Sequence, residues 1–277
     1  MQKFGPYAAL GTQWWIEFLE TVDVGVPERM VKIINDFEAD YSRFNINSLV
    51  GKLNIEGYVA GDLKELPAML CYGQKIYQES DGLFNILTGG RQVAAGYGQV
   101  SRVKVGTVAE ADPLKDLTID GEIKLLNGAV DLGGYGKGWL IDKLKDELLS
   151  LGVKYFIVNG GGDIYATSQP DGSSVEVYVE HPVQSGLYIA KVPLLNQSLA
   201  VSSSLKRNWQ KDDIEFNHLH VKEKIATHVL SSTALLADTV ATRLCLGEGE
   251  IKEDYEYLVW QGGGSSCSRG FKEWLLS

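Results

Sequence analysis

The sequence predicts an α+β fold, a single domain over residues 1–277 with a mixed or antiparallel sheet and packed helices. Short segments that alternate apolar and polar residues, at 175–180, 188–192 and 198–202, predict half-exposed antiparallel strands. Segments with apolar residues three and four positions apart predict helices that pack on this sheet. No repeat, low-complexity tract or linker divides the chain, so one domain is the simplest organisation.

Local signals place the other elements along the chain. Pro27 marks the start of a helix, because proline is tolerated in the first helical turn. Gly247 marks the end of the last long helix, because glycine commonly follows a helix C-terminus. Helices are predicted at about 27–41, 67–80, 141–151 and 233–246. Further strands are predicted at 14–19, 123–126, 153–158, 164–166, 257–260 and 271–275.

Composition argues against several classes of protein. The net charge is −10 and no run of Lys or Arg exceeds two residues, which argues against nucleic acid as a partner. No apolar stretch approaches the roughly 18 residues of a membrane-spanning helix, and residues 1–6 lack the apolar segment of an export signal. We therefore expect no membrane insertion and a cytoplasmic protein, with an exported form whose signal has been removed as the alternative. Cys71, Cys245 and Cys267 are far apart, and we expect them to be reduced.

A glycine-rich stretch, residues 131–142, lies between a predicted strand and a predicted helix. Glycine lets the backbone approach a ligand closely, and a helix N-terminus presents N–H groups to an anion. Together with Lys137, the stretch points to a phosphate-bearing ligand. It is not a P-loop, because Gly138 follows Lys137, and its glycines are spaced wrongly for a dinucleotide fingerprint. A tight strand-to-helix turn without a ligand is the alternative.

The helix predicted from Thr233 carries a second chemical signal. Asp238 and Thr242 are four residues apart and therefore lie on one face of it. A carboxylate and a hydroxyl suit a hard cation such as Mg²⁺, while a solvent-facing pair is the interpretation that the helix alone favours. His218 and His220 alternate on a probable strand, where a general base at His218 and a zinc pair without an evident third ligand are both open interpretations.

Six motifs, in order along the chain, resemble those of the ApbE family of FAD:protein FMN transferases. Any single motif is weak evidence, but the ordered set covers nearly the whole chain. The motifs are Leu10-Gly11-Thr12, Ser42-Arg43-Phe44-Asn45-Ile46-Asn47-Ser48, Asp81-Gly82-Leu83-Phe84-Asn85, Asp131-Leu132-Gly133-Gly134-Tyr135-Gly136-Lys137-Gly138, Gly161-Gly162-Asp163-Ile164 and Ala237-Asp238-Thr239-Val240-Ala241-Thr242.

The resemblance implies binding of FAD with Mg²⁺ at its diphosphate, cleavage of the pyrophosphate, release of AMP, and attachment of FMN through a phosphoester to a Thr or Ser of an acceptor flavoprotein. It implies that the carbonyl of Gly136 and the side chains of Asp238 and Thr242 hold the metal. It also implies catalytic roles for Lys137 and Asp238, and for His218 as the base that deprotonates the acceptor hydroxyl. The implied flavin-nucleotide contacts are Leu10, Phe44, Leu83, Phe84, Asn85, Gly133, Lys137, Trp139, Asp142 and His218.

The chain departs from the family pattern in three places. The family's His-x-x-Asp-Pro-x-Thr-Gly is replaced at 218–224 by His-Leu-His-Val-Lys-Glu-Lys, without the Asp, Pro or Gly. Asn85 stands where the family has Asp, and Gly136 where it has Ala. An FAD-binding protein or FAD pyrophosphatase that has lost protein transfer activity is therefore an alternative function, and a phosphate-ligand domain unrelated to flavin is another.

Overall fold

A computed structural model describes residues 2–90, 111–205, 208–211, 214–217, 219 and 221–276 of the chain. The chain divides into two compact units. Unit 1 comprises Met1–Ile34, Tyr135–Arg207 and Leu219–Ser277, and unit 2 comprises Asn35–Gly134 and Asn208–His218. Organisation as one domain over 1–277 stays a prediction.

The described residues form fifteen strands and seven helices. The strands are β1 (Gln2–Ala9), β2 (Thr12–Phe18), β3 (Tyr58–Ala60), β4 (Leu117–Ile119), β5 (Glu122–Leu125), β6 (Phe156–Gly160), β7 (Asp163–Ala166), β8 (Val175–Glu180), β9 (Tyr188–Leu194), β10 (Gln197–Ser203), β11 (Asn208–Lys211), β12 (Ile214–Asn217), β13 (Ile225–Ser231), β14 (Glu256–Gln261) and β15 (Gly264–Cys267). The helices are α1 (Gly25–Tyr41), α2 (Leu49–Glu56), α3 (Leu66–Glu79), α4 (Pro113–Asp116), α5 (Gly136–Ser150), α6 (Ala234–Cys245) and α7 (Arg269–Lys272).

The centre of unit 1 is an eight-stranded antiparallel sheet in the order β1-β2-β6-β7-β10-β13-β14-β15. Its middle strands are buried on both faces. On one face Leu199 and Leu230 pack with the β8–β9 hairpin, and on the other Ala200 and Val229 pack against α6. Strand β10 is therefore buried along nearly all its length, and the prediction of a half-exposed strand at 198–202 is wrong.

Unit 2 contains the three-stranded antiparallel sheet β3-β5-β4, the helices α2, α3 and α4, and the hairpin β11–β12. The sequence does not predict α2, because eight residues give no clear apolar period. Its ends nevertheless carry ordinary caps: Ser48 Oγ accepts from the Gly51 N–H at 2.8 Å, and Gly57 ends the helix with a φ of 74°. Asn54 holds α2 in place, donating to the carbonyl of Val130 at 2.9 Å and accepting from its N–H at 2.7 Å.

Most predicted elements are confirmed with shifted ends, among them β2, β5, α3, α5 and α6. The strand predicted at 271–275 is wrong, because the last strand is β15 and the helix α7 follows it. Phe271 and Trp274 are three residues apart, a helical spacing, and their rings pack edge to face with centroids 5.4 Å apart. No helix in the described ranges combines the length and the apolar character needed to cross a membrane.

Candidate active site

Two tight hairpin turns lie side by side at one end of the unit 1 sheet. Residues 10–11 connect β1 to β2, residues 161–162 connect β6 to β7, and all four have positive φ. Glycine adopts this conformation readily, but a positive φ at a bulky residue such as Leu10 is uncommon and is often found at functional sites. A Cβ on Gly161 would lie 2.2 Å from the hydroxyl oxygen of Thr12, so the two turns are in close contact. Leu10, a predicted flavin contact, thus lies in one of two closely packed turns.

Asp163 follows the second turn and meets Lys137 and Asp238 in a buried cluster of charges. The Lys137 ammonium donates to Asp163 Oδ2 and, at 3.1 Å, to Asp238 Oδ1. The remaining oxygens also accept hydrogen bonds, Asp163 Oδ1 from the Val201 N–H at 2.9 Å and Asp238 Oδ2 from the Gly138 N–H at 2.9 Å. The lysine side chain is 18% exposed and the two carboxylates are almost fully buried. The sequence prediction gives Asp163 no role, although Asp163 lies in one of the six motifs.

This cluster contains one positive and two negative charges. Burial raises the pKa of Asp238 and Asp163 raises it further, against the opposing effects of Lys137 and the Gly138 N–H. Burial alone would lower the pKa of Lys137, but Asp163 and Asp238 outweigh it, so the pKa of the ammonium is raised. Lys137 is therefore charged at neutral pH, and a further cation beside Asp238 would stabilise the ionised carboxylates.

Asp238 and Thr242 lie one turn apart on α6, as the sequence predicts, and both are buried. The solvent-facing alternative is therefore wrong. Thr242 Oγ1 is 3.1 Å from Ser202 Oγ on β10, so a second hydroxyl lies beside the pair. The sequence gives no signal for Ser202, because it is 40 positions from Thr242. Gly136, the third predicted metal ligand, is the first residue of α5.

The oxygen ligands available at this site fit a hard cation. Asp238 supplies a carboxylate, Thr242 a hydroxyl and Gly136 a carbonyl, and oxygen is the ligand that Mg²⁺ prefers. The charges of the cluster also favour a cation. Two carboxylates, Asp163 and Asp238, face the single ammonium of Lys137, so the cluster has a net charge of one negative. In the described part of the chain, no group of three or more His, Cys, Asp or Glu side chains comes together. The candidate set thus rests on one carboxylate with neutral oxygen donors.

Gly138 allows the first turns of α5 and α6 to approach closely. A Cβ at this position would lie 2.3 Å from the carbonyl oxygen of Ala234 and 2.8 Å from the Cα of Leu235. The same residue donates its N–H to Asp238. This glycine therefore serves helix packing and the orientation of a carboxylate. The sequence pattern predicts neither role, because its two interpretations are a phosphate-bearing ligand and a tight turn without one.

We expect Gly138→Ala to lower the melting temperature by roughly 2–12 °C. Overpacking a buried contact costs about 1–3 kcal/mol, and in a chain of this size about 1 kcal/mol corresponds to roughly 2–4 °C. Gly25→Ala is the matched control, since no atom lies within 4 Å of a Cβ built there. Thermal unfolding followed by circular dichroism measures both variants, and a Gly138→Ala protein as stable as Gly25→Ala would contradict the close contact.

Asp142, a predicted flavin contact, is engaged within unit 1. Its Oδ1 accepts from the Ala234 N–H at 3.1 Å and its Oδ2 from the Leu235 N–H at 2.9 Å. A carboxylate at this place satisfies N–H groups of the first helical turn and complements the helix dipole. Asp142 therefore stabilises the start of the helix that carries Asp238, and its contact with flavin stays a prediction.

In unit 2, Arg43 joins two of the sequence motifs. Its Nε lies 3.0 Å from Asp131 Oδ2, and its guanidinium lies over the ring of Phe44, 4.1 Å from the centroid. Asp131 Oδ1 in turn accepts from the N–H of Gly133 at 2.8 Å. Arg43 is 7% exposed and Phe44 is 49% exposed, so an accessible ring is held by a buried cation. Arg43 is absent from the predicted contacts, although it stands next to Phe44 in the same motif.

The predicted contacts at 83–85 differ in exposure. Leu83 is exposed and Phe84 is buried. The amide of Asn85 donates to the carbonyl of Ala111 at 2.8 Å and accepts from the N–H of Leu87 at 2.8 Å. The donor is one that an ionised Asp would lack, so this departure from the family pattern has a local structural account.

Trp139, His218 and His220 are the remaining predicted site residues. Trp139 is half-buried in the first turn of α5, where its N–H donates to the carbonyl of Tyr135 at 2.9 Å. His218 and His220 lie outside the described residues, so their roles stay predictions. Unit 1 carries Leu10, Gly136, Lys137, Trp139, Asp142, Asp238 and Thr242, and unit 2 carries Phe44, Leu83, Phe84, Asn85 and Gly133.

Most of the chain corresponds to one known family, since the sequence model of the ApbE family matches residues 10–255. The chain belongs to the ApbE family. The matched range contains Lys137, Asp163, Asp238 and Thr242, so the buried cluster and the candidate metal ligands are parts of the ApbE domain.

Curated and solved ApbE proteins are similar to this chain. The FAD:protein FMN transferase of Rhodobacter capsulatus is 27% identical over 216 residues. The match covers 72% of this chain and 41% of that protein, so the chain spans less than half of its length. The ApbE protein of Thermotoga maritima has a TM-score of 0.84 at 18% identity, with both chains fully covered. The flavin transferase ApbE of Vibrio cholerae has a TM-score of 0.78 at 18% identity, with 99% of each chain covered. These structures confirm the predicted α+β fold.

Proposed function

We propose that the protein is an FAD:protein FMN transferase, which cleaves the diphosphate of FAD, releases AMP and joins FMN by a phosphoester bond to a Thr or Ser of an acceptor flavoprotein. Membership of the ApbE family and the name of the Rhodobacter relative support this activity. The observation that carries the proposal is the buried cluster of Lys137, Asp163 and Asp238 beside Thr242, at the first turn of α5. This arrangement suits a diphosphate substrate. The ammonium and the helix N-terminus attract phosphate, and the oxygen ligands can hold a hard cation beside it.

Mg²⁺ is the metal that we propose for this site. Asp238, Thr242 and the Gly136 carbonyl would hold it. When bound, Mg²⁺ supplies neutralisation of charge on the diphosphate and on the leaving AMP phosphate. The Gly138 N–H keeps Asp238 oriented by bonding one of its oxygens, so the carboxylate enters the reaction with one orientation already fixed.

Lys137 is the residue of the chain that we expect to act on the transferred phosphoryl group. Its ammonium stays charged at neutral pH, because Asp163 and Asp238 raise its pKa. A fixed charge in a buried setting stabilises negative charge that develops in the transition state more strongly than a hydrated charge does. The N-terminus of α5 adds a partial positive charge at the same place.

Incubation with FAD and Mg²⁺, with and without a candidate acceptor, tests the proposed activity. We expect the acceptor to gain the mass of FMN less one water, and AMP to appear in equal amount. Chelation of the metal with EDTA should abolish both, and an excess of Mg²⁺ should restore both. AMP without a mass gain would favour the FAD pyrophosphatase, and FAD binding with neither product would favour the FAD-binding protein. Failure to bind FAD at all would reject a flavin function.

A further inference from the structure

Asp163 is the one charged residue of the buried cluster that the proposed function does not yet use. It is the first residue of β7, directly after the turn at 161–162, and β7 lies between β6 and β10 in the sheet. Its Oδ1 accepts from the N–H of Val201 on β10, and its Oδ2 accepts from the ammonium of Lys137. The carboxylate is therefore held by the central sheet.

Lys137 divides its hydrogen bonds between two carboxylates with different tasks. Asp238 is the candidate metal ligand, and a cation beside it repels the ammonium that shares the same carboxylate. Asp163 accepts from the same ammonium and has no place among the candidate ligands. With Asp163 ionised, Lys137 and Asp163 form a neutral pair and leave the charge of Asp238 for the metal. Without that charge, Asp238 would be the one carboxylate among the described residues that pairs with the ammonium.

We propose that Asp163 is a positioning residue that pairs with the Lys137 ammonium and neutralises its charge, so that Asp238 can bind Mg²⁺ while Lys137 stays in the site. This inference rests on the proposed function, because it assumes the metal site at Asp238. It assigns different duties to the two carboxylates: Asp238 binds the cation, and Asp163 binds the lysine that would otherwise compete with that cation.

Asp163→Asn isolates this role, because asparagine keeps the shape and an oxygen that can accept from the Val201 N–H. The atom facing Lys137 becomes an NH2 group, so both the negative charge and the acceptor for the ammonium are lost. We expect Mg²⁺ titrated calorimetrically into the purified protein to bind roughly 10–100-fold more weakly, the range seen when residues that orient metal ligands are changed. Thermal unfolding of Asp163→Asn checks that the fold is kept.

A second substitution separates positioning from the other possible roles. Adding Lys137→Met to Asp163→Asn removes the competing ammonium. Positions 137 and 163 then carry no net charge, as in the wild type. We therefore expect the double variant to bind Mg²⁺ within about twofold of the wild type, a difference no larger than that of an ordinary surface substitution. A direct ligand at Asp163, or a purely structural role, predicts instead that the double variant binds as weakly as Asp163→Asn.

The outcomes also distinguish this inference from the proposed function. If the wild type binds both FAD and Mg²⁺ while Asp163→Asn binds Mg²⁺ as tightly, the inference fails and the proposed function stands. A double variant as weak as the single one likewise overturns the inference. If the wild type binds neither FAD nor Mg²⁺ in the same titrations, the proposed function itself is rejected, and the inference with it.

Discussion

Asp238→Asn will lower the rate of AMP release from FAD by roughly 10³-fold or more. The substitution removes the one carboxylate among the candidate metal ligands. Stabilisation of charge by a bound metal contributes several kcal/mol to the barrier, and about 1.4 kcal/mol corresponds to a tenfold change in rate. The fold should persist, because an asparagine oxygen can still accept from the Gly138 N–H that bonds Asp238 at 2.9 Å. AMP quantified by chromatography under saturating FAD and Mg²⁺ gives the rate.

Asp146→Asn is the matched control for this experiment. Asp146 lies on α5 with a side chain that is 72% exposed, so the same chemical change there should leave AMP release unaltered. Thermal unfolding of both variants shows whether any loss comes from the site or from the fold. An Asp238→Asn enzyme with normal stability and a wild-type rate would reject the assignment of Asp238 as metal ligand.

His218→Ala will reduce transfer of FMN to an acceptor protein by roughly 10²–10⁴, the effect of losing a general base. Cleaving FAD and deprotonating an acceptor hydroxyl are separate demands, and the resemblance places the base at His218. Histidine suits the task because its unperturbed pKa is about 6.5, so that the neutral, proton-accepting form is populated at pH 7. The rate is followed by the mass gain of the acceptor, and FAD affinity is measured in parallel.

His220→Ala provides the comparison, since the family pattern falls on the earlier of the two histidines. We expect it to transfer FMN much faster than His218→Ala and to bind FAD equally well. Wild-type transfer by His218→Ala would show that another group deprotonates the acceptor. Equal losses in the two variants would instead assign the effect to the segment as a whole.

The parts of the site that lie close in sequence could be predicted from it. Asp238 and Thr242 are four residues apart on a helix, and the helical period fixes their relation whatever the rest of the chain does. Lys137 and Asp163 are 26 positions apart, and they meet because β7 lies within the sheet beside the start of α5. No local pattern encodes that meeting, which is why the sequence prediction gave Asp163 no role.

The burial of β10 shows a second limit. Ser198 and Ser202 alternate with apolar residues, a pattern that indicates a solvent-facing side, yet both serines are buried. Their face is covered by α6, which contributes the small residues Ala237 and Ala241 to the contact. An alternating pattern reports the polarity of side chains, whereas burial depends on which layer covers them. Ser202 is both polar and buried, because its small side chain fits under α6 and its hydroxyl forms a hydrogen bond with Thr242 of that helix.

The turn at 161–162 must keep its length as well as its glycines. Gly160 and Asp163 are paired across the hairpin, so the loop has two residues. Side chains alternate between the faces of a strand, and a slip of one residue would send the carboxylate of Asp163 to the opposite face, away from Lys137. Exposed loop tips ordinarily tolerate insertions and deletions, and Gly161 is exposed. Here the length of a surface loop determines whether the half-buried Lys137 has Asp163 as a partner.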